Sequence, residues 1–402
     1  MSEGLNPELP RLVLRRGEDA RLRAGHLWVY SNEVDVQRSP LAAFTPGAAC
    51  VVVDAGGKFV GSGYVNPASL IAARLLRREP GALDAAFFAA RITRALALRQ
   101  RLYDSPHYRL LYGESDGVPG LTLDRYGDVL VAQATTAGIE RCMGTIEQAV
   151  RTVLAPRALV WKNDAGIRAL ENLPSYTQLA FSEVAGGVEV IEAGLRFAVD
   201  VLEGQKTGWF YDQRANRDRF VRHVGDARVL DVFSYLGGWG LRAAQAGARA
   251  VLCVDASQPA LQRLQQAAQT NALAARVGTR QGDAFEVLKA LREAGERFDA
   301  VVVDPPAFIK RRKDLAAGRL AYRRINALAL SLLAPEGVLV SCSCSHHLSA
   351  ADLLSALQAA AQSAGRELQV LENLQQGPDH PVHPAIPETA YLKGYLCRVL
   401  PV

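Results

Sequence analysis

The 402-residue chain has no stretch of the roughly 18 uninterrupted apolar residues that a membrane span requires, so no membrane partner is expected. Met1 to Arg16 lacks an apolar core behind a basic run, and no signal peptide is expected either. Cysteine is sparse. Cys50, Cys142, Cys253, Cys342, Cys344 and Cys397 are scattered over a large chain, which excludes a disulfide framework and favours a reducing, cytoplasmic compartment. No internal repeat or low-complexity tract is present. Nor is there a strong excess of one charge: 46 Lys and Arg against 41 Asp and Glu leave +5, which permits an acidic partner such as RNA without requiring one. Apolar residues are abundant, at 49%, and the length favours two or three domains over one.

Three regions differ in texture. Residues 1–80 carry short apolar stretches punctuated by Gly and Pro, among them Leu12–Leu14, Trp28–Tyr30, Ala49–Val53, Phe59–Val65 and Leu70–Leu76. They predict a small β-barrel, decorated by basic residues that include Arg15, Arg16 and Arg74. Residues 81–200 predict an α+β domain. Helices are expected over Leu83–Tyr103 and Gly138–Leu154, with strands at Leu121–Leu123, Val129–Ala134, Ala158–Trp161, Gln178–Phe181 and Leu195–Val199. Residues 201–402 alternate strands (Val229–Phe233, Ala250–Asp255, Phe298–Asp304, Val338–Ser343) with helices (Trp239–Ala246, Pro259–Ala272, Tyr322–Leu333), the pattern of a parallel, doubly wound α/β sheet.

Ligands of such sheets bind beyond the carboxyl ends of the strands. Four of those ends are acidic: Asp231 before Gly237-Gly238, then Asp255, Asp283 and Asp304. The G-x-G-x-x-G fingerprint of nicotinamide enzymes is absent. A Gly-Gly pair preceded by Asp and Ser suits S-adenosylmethionine (SAM), whose cationic amino group needs an acidic or carbonyl partner and which has no pyrophosphate to cradle.

Longer segments carry a more specific signal. They are Gly113–Arg125, Leu202–Arg214 (LEGQKTGWFYDQR), Phe233–Gly238 (FSYLGG), Val254–Gln258 (VDASQ), Asp304–Phe308 (DPPAF), Ser343-Cys344-Ser345 and Tyr391–Gly394 (YLKG). On these the chain resembles the bacterial 23S rRNA cytosine-C5 methyltransferases of the large-subunit methyltransferase I type, over nearly its whole length. The resemblance implies a PUA-like RNA-binding barrel, a central α+β domain and a Rossmann-like class I SAM methyltransferase domain. It further implies SAM contacts from Asp231, Ser234, Gly237, Gly238, Asp255, Ala256, Ser257, Asp283, Ala284 and Asp304. Lys206, Thr207, Asp212 and Arg214 would close over the site. It makes ribosomal RNA, 23S above all, the expected partner, and allows a homodimer.

Methylation of cytosine carbon 5 needs a thiolate that attacks carbon 6 and so activates carbon 5. Cys344 sits where the Val338–Ser343 strand runs out and is the candidate nucleophile. Cys342, two residues earlier on the same face, reads as a small buried residue. Asp304 is the second candidate catalytic group, placed to hydrogen-bond the cytosine ring if protonated or bridged. Pro305 and Pro306 stiffen the loop, and Phe308 is a candidate for stacking on the target base. Ala307 stands where many cytosine-C5 RNA methyltransferases carry a second cysteine. The Asp-Pro-Pro-x-Phe loop also resembles those that methylate nitrogens, so an RNA N-methyltransferase stays open, as does an RNA-binding assembly factor without catalysis. Lys310, Arg311, Arg312 and Lys313 follow the loop directly and are candidates for phosphate contacts, with Arg15 and Arg16 on the barrel. Cys342, Cys344, His346 and His347 lack the separated partner pair of a structural zinc site, and no metal is expected. His380 and His383 are expected to be structural.

Overall fold

The computed structural model describes residues 9–182 and 187–401. Residues 1–8, 183–186 and 402 of the three expected domains lie outside the described residues. The chain forms two compact units. The first comprises residues 1–190, 199–209 and 378–389; the second comprises 191–198, 210–377 and 390–402.

The first unit holds two sheets with separate cores. The amino-terminal sheet is five-stranded, with Arg11–Val13 parallel to Ala48–Val53 and the remaining pairings antiparallel through Phe59–Val65, Ile71–Arg77 and Trp28–Tyr30. Leu12, Leu14, Val29, Val52, Val65 and Leu75 fill its interior. So does Ile386, from the distant 378–389 segment. That segment is anchored by Asp379: its carboxylate accepts the Arg109 N–H at 3.0 Å and its carbonyl accepts Arg99 at 2.8 Å. His380 is buried, with its Nδ1 2.9 Å from the Asp379 carboxylate.

The second sheet of this unit runs Tyr176–Phe181, Ala158–Asn163, Val129–Ala134, Leu121–Tyr126 and His107–Tyr112. Helices Ala85–Leu102 and Met143–Leu154 supply Phe88, Ile92, Ile146 and Val150 to its core. Asp84 and Thr136 cap the first turns of Ala85–Leu102 and Ala137–Arg141 with their side chains. Arg74 is not a surface residue of the barrel. It is buried, and donates at 2.9 Å to Glu171, whose other oxygen accepts Asn66 at 2.7 Å. A guanidinium so enclosed is held by its carboxylate and is unavailable to an RNA backbone.

The second unit is built on a seven-stranded sheet. Its order is Val277–Gln281, Ala250–Asp255, Arg228–Val232, Phe298–Val303, Leu333–Ser343, Lys393–Pro401, Arg366–Gln375. The first five are parallel. Lys393–Pro401 is antiparallel to both its neighbours, so the sheet departs from the wholly parallel arrangement expected. Val229, Leu230, Val301, Val302, Leu339 and Val340 are buried to zero exposure, as strands covered on both faces require. The helices Gly238–Gln245, Gln258–Thr270, Ala284–Glu293, Leu315–Leu332 and Ala350–Ser363 flank it. Among the described residues, no helix is long and apolar enough to cross a membrane.

Candidate active site

The strand order reverses at Arg228–Val232, which pairs with Ala250–Asp255 on one side and Phe298–Val303 on the other. The crevice beyond such a reversal is the ligand site of doubly wound sheets. Asp231 projects there from the first strand and is fully buried. Its Oδ2 accepts the Gly240 N–H at 2.9 Å, and its Oδ1 is buried with no hydrogen-bond partner among the described residues. Burial pushes this carboxyl up to about 7; Asp304 and Asp255 push the same way, against the Gly240 N–H and Arg217. The buried Ser234 hydroxyl is also without a partner among the described residues. A cationic amine would satisfy both groups and offset the burial cost of the carboxylate.

The backbone between these groups is sharply turned. Phe233, Tyr235 and Gly237 all have positive φ, at 66°, 49° and 81°. Glycine is required at 237. Its φ is left-handed, and a Cβ there would lie 2.4 Å from Leu241 and 2.7 Å from Leu264. Asp255 is clamped in one orientation. Its Oδ2 accepts the Tyr235 N–H and its Oδ1 the Ser257 N–H, both at 2.8 Å. A carboxylate has about four acceptor positions, so it could also take a pair of ribose hydroxyls. The exposed Asp283 caps the Ala284–Glu293 helix, accepting the Phe285 N–H at 2.9 Å.

Asp304 ends the fourth strand. Gln213 donates to its Oδ1 and the Trp239 indole to its Oδ2, both at 3.0 Å. With a donor on each oxygen it stands as an acceptor. Sequence reading gave no role to Gln213 or Trp239. Gln213 lies 91 positions from Asp304, and no local pattern connects them.

The two neighbouring cysteines differ. Cys342 is fully buried, and burial together with Asp304 pushes its thiol well above the usual value, which makes it inert as a nucleophile. Cys344, half-buried, lies just past the strand. The serines on either side hold it. Ser343 Oγ donates to the Tyr322 hydroxyl at 2.8 Å, Ser345 Oγ lies 3.0 Å from the same hydroxyl, and the Ile309 N–H donates to Ser345 Oγ at 3.3 Å. Lys393 Nζ donates to the carbonyls of Ser345 at 2.7 Å and Leu348 at 2.9 Å. Burial lowers the Lys393 pKa, and the neighbouring Cys344 acts in the opposite direction. The sequence singles out neither Tyr322 nor Lys393, although Lys393 lies inside the YLKG segment.

The four residues expected to close over the site fall in different units. Lys206 and Thr207 belong to the first, where Thr207 Oγ1 donates to Asp124 at 2.5 Å. Asp212 and Arg214 belong to the second: Asp212 accepts the Tyr391 hydroxyl, and Arg214 lies 3.6 Å from the buried Glu192. Glu192 is bound chiefly by Arg217, in two hydrogen bonds of 2.6 and 2.7 Å.

In the loop after Asp304, Pro305 is buried and Pro306 exposed. The Phe308 ring is half-buried among Tyr322 at 4.9 Å, Phe233 at 6.2 Å and Phe285 at 6.3 Å. Lys310, Arg311, Arg312 and Lys313 are all exposed, as are Arg15 and Arg16 on the barrel.

A family profile described as S-adenosylmethionine-dependent methyltransferase matches residues 171–398, and another, described as a PUA-like domain, matches residues 12–78. The chain belongs to the S-adenosylmethionine-dependent methyltransferases. Full-length relatives carry the name Ribosomal RNA large subunit methyltransferase I. That of Salmonella arizonae is 38% identical over 413 residues and that of Salmonella newport 37% over 407, with 100% of each chain covered. Two solved structures share the fold at 19% identity. SMU.776 complexed with SAH has a TM-score of 0.82, and a SAM-dependent methyltransferase from Streptococcus mutans one of 0.81; each match covers 97% of this chain and 100% of the other.

Proposed function

We propose that this protein is a cytoplasmic enzyme that methylates carbon 5 of a cytosine in 23S rRNA through a covalent adduct with Cys344. The observation that carries the reading is the Ser343-Cys344-Ser345 turn. It sets a half-buried cysteine at the carboxyl edge of the sheet, between serines tied to Tyr322, while Cys342 is fully buried. The names of the full-length relatives support a large-subunit rRNA substrate.

SAM supplies the methyl group from its sulfonium. Asp231 and Ser234 would hold its amino group and Asp255 its ribose, with Ala256 and Ser257 beside them. Gly237 and Gly238 would line the methionine end, and Asp283 and Ala284 the adenine. The Cys344 thiolate forms a bond to carbon 6 of the cytosine, and the ring electrons displaced from the double bond make carbon 5 nucleophilic. Carbon 5 takes the methyl group, a base removes its proton, and the sulfur–carbon bond breaks to restore the thiolate. Asp304, an acceptor held by Gln213 and Trp239, suits the exocyclic amine of the cytosine. Lys310 to Lys313, with Arg15 and Arg16, would contact phosphates.

That same acceptor suits a target amine undergoing N-methylation, which is the second reading. Mass spectrometry of nucleosides from 23S rRNA of cells with and without the gene separates the two. Loss of one 5-methylcytosine is expected. Loss of an N-methylated base instead, with 5-methylcytosine unchanged, would sink the adduct mechanism.

A further inference from the structure

Next to the Cys344 turn, the second unit has a cavity of about 380 Å³ whose lining includes His346, Leu348, Asn373, Gln375, Leu392 and Lys393. Four elements meet there: the loop after Leu333–Ser343, the start of the Ala350–Ser363 helix, the end of Arg366–Gln375 and the start of Lys393–Pro401. The cavity adjoins the Cys344 turn through Lys393, which lines it and whose ammonium holds the Ser345 carbonyl.

Its lining has two characters. Leu348 and Leu392 are buried and apolar. Asn373 and Gln375 are exposed and two residues apart on a strand, so they share a face. No hydrogen bond among the described residues engages either side-chain amide. A buried apolar wall beside free amides matches the chemistry of a nucleobase, which has a stacking face and a hydrogen-bonding edge. The His346 ring, 5.9 Å from that of Tyr391, adds an aromatic surface.

We propose that this cavity binds the nucleobase adjoining the methylated nucleotide, with Asn373 and Gln375 reading its edge. The cavity is then a specificity subsite, and the inference rests on the RNA-methylating function argued above. The pairing of an apolar wall with two unengaged amides, next to the thiol, argues for a single unpaired base and not a duplex groove.

The test uses the full-length enzyme, SAM and a 23S rRNA fragment containing the mapped methylation site. With the double variant Asn373→Ala/Gln375→Ala, KM for the RNA is expected to rise about tenfold, as loss of two hydrogen bonds implies. kcat and SAM affinity are expected to hold. Making the adjoining nucleotide abasic should raise KM for the wild type and add little for the variant. A second variant, Asn373→Asp/Gln375→Glu, keeps the volumes but removes the amide donors, and should change which base is preferred at the adjoining position. Unchanged KM in both variants overturns the subsite, and so does an abasic penalty as large in the variant as in the wild type. Failure of the wild type to methylate 23S rRNA at all is a different result: it overturns the parent function and the subsite with it.

Discussion

Lys393 reaches past its own strand to donate a 2.7 Å hydrogen bond to the carbonyl of Ser345, the residue after Cys344. One ammonium thus fixes the turn that presents the thiol and places a positive charge beside it. Lys393→Met is expected to lower kcat several-fold to about tenfold, with SAM affinity retained. Alkylation of Cys344 by iodoacetamide at pH 7 should slow as the thiolate loses its cation. Lys393→Arg should restore part of the alkylation rate but less of kcat, because a bulkier planar guanidinium places its charge and donors differently from a compact ammonium. An unchanged alkylation rate in Lys393→Met would remove the electrostatic role.

The two cysteines should separate cleanly. Cys344→Ala is expected to reduce methyl transfer on the order of 1000-fold or more while calorimetry shows SAM still bound. Cys342→Ala should retain activity and lose about 1–2 kcal/mol of stability, because it empties a packed position beside Gly394. Full activity of Cys344→Ala would end the covalent mechanism.

The Tyr322 hydroxyl serves both serines of the motif, and all three residues are completely buried. Tyr322→Phe leaves buried hydroxyls without their partner, at a cost of about 1–3 kcal/mol. Chemical denaturation should show that loss. Single-turnover kinetics should show a slower methyl-transfer step, with SAM binding unaffected. A loss of stability with no change in the chemical step would make Tyr322 a core residue only.

Asp231 gives a pH signature. Its carboxyl has a pKa of about 7 in the folded protein, against a usual 3.8. A raised acid favours the folded state while neutral. Its contribution is therefore full below about pH 4 and is lost as pH rises through about 7. SAM, offering a cation, favours the ionised form, so its affinity should strengthen over the upper part of that range. Asp231→Asn is expected to flatten the pH dependence of the unliganded melting temperature. It should also weaken SAM roughly 10- to 100-fold, the worth of a charge-assisted hydrogen bond. Calorimetry at pH 6 and 8 would refute this if the wild-type affinities were equal.

Much of this was legible in the chain. Phe59–Val65, Val129–Ala134 and Ala250–Asp255 form strands at the bounds their apolar runs predict. The acidic strand ends could be read because chemistry and secondary structure coincide there. Arg366–Gln375 could not be read: it is an edge strand, mostly exposed, and its apolar residues Leu368, Val370, Leu371 and Leu374 do not alternate strictly. The Leu315–Leu332 helix begins seven residues before the predicted Tyr322, because a basic run and Gly318 disguise its first turns. Gly318 is there to admit Ile309, which would lie 2.1 Å from a Cβ. Tyr322, Gln213 and Lys393 act on groups 21 to 91 positions away, and such contacts exist only once the sheet has formed.

The barrel's borrowed Ile386 has a consequence for how the protein is made. The amino-terminal strands leave the ribosome first, yet their interior is finished only when residues 378–389 have been synthesised. Until then the nascent barrel exposes an apolar gap, a surface chaperones recognise. A fragment ending near residue 209 should accordingly be poorly soluble, and supplying the 378–389 stretch as a separate peptide should improve its recovery. Swapping barrels between relatives would require two separate exchanges along the gene, one for the amino-terminal strands and one for residues 378–389.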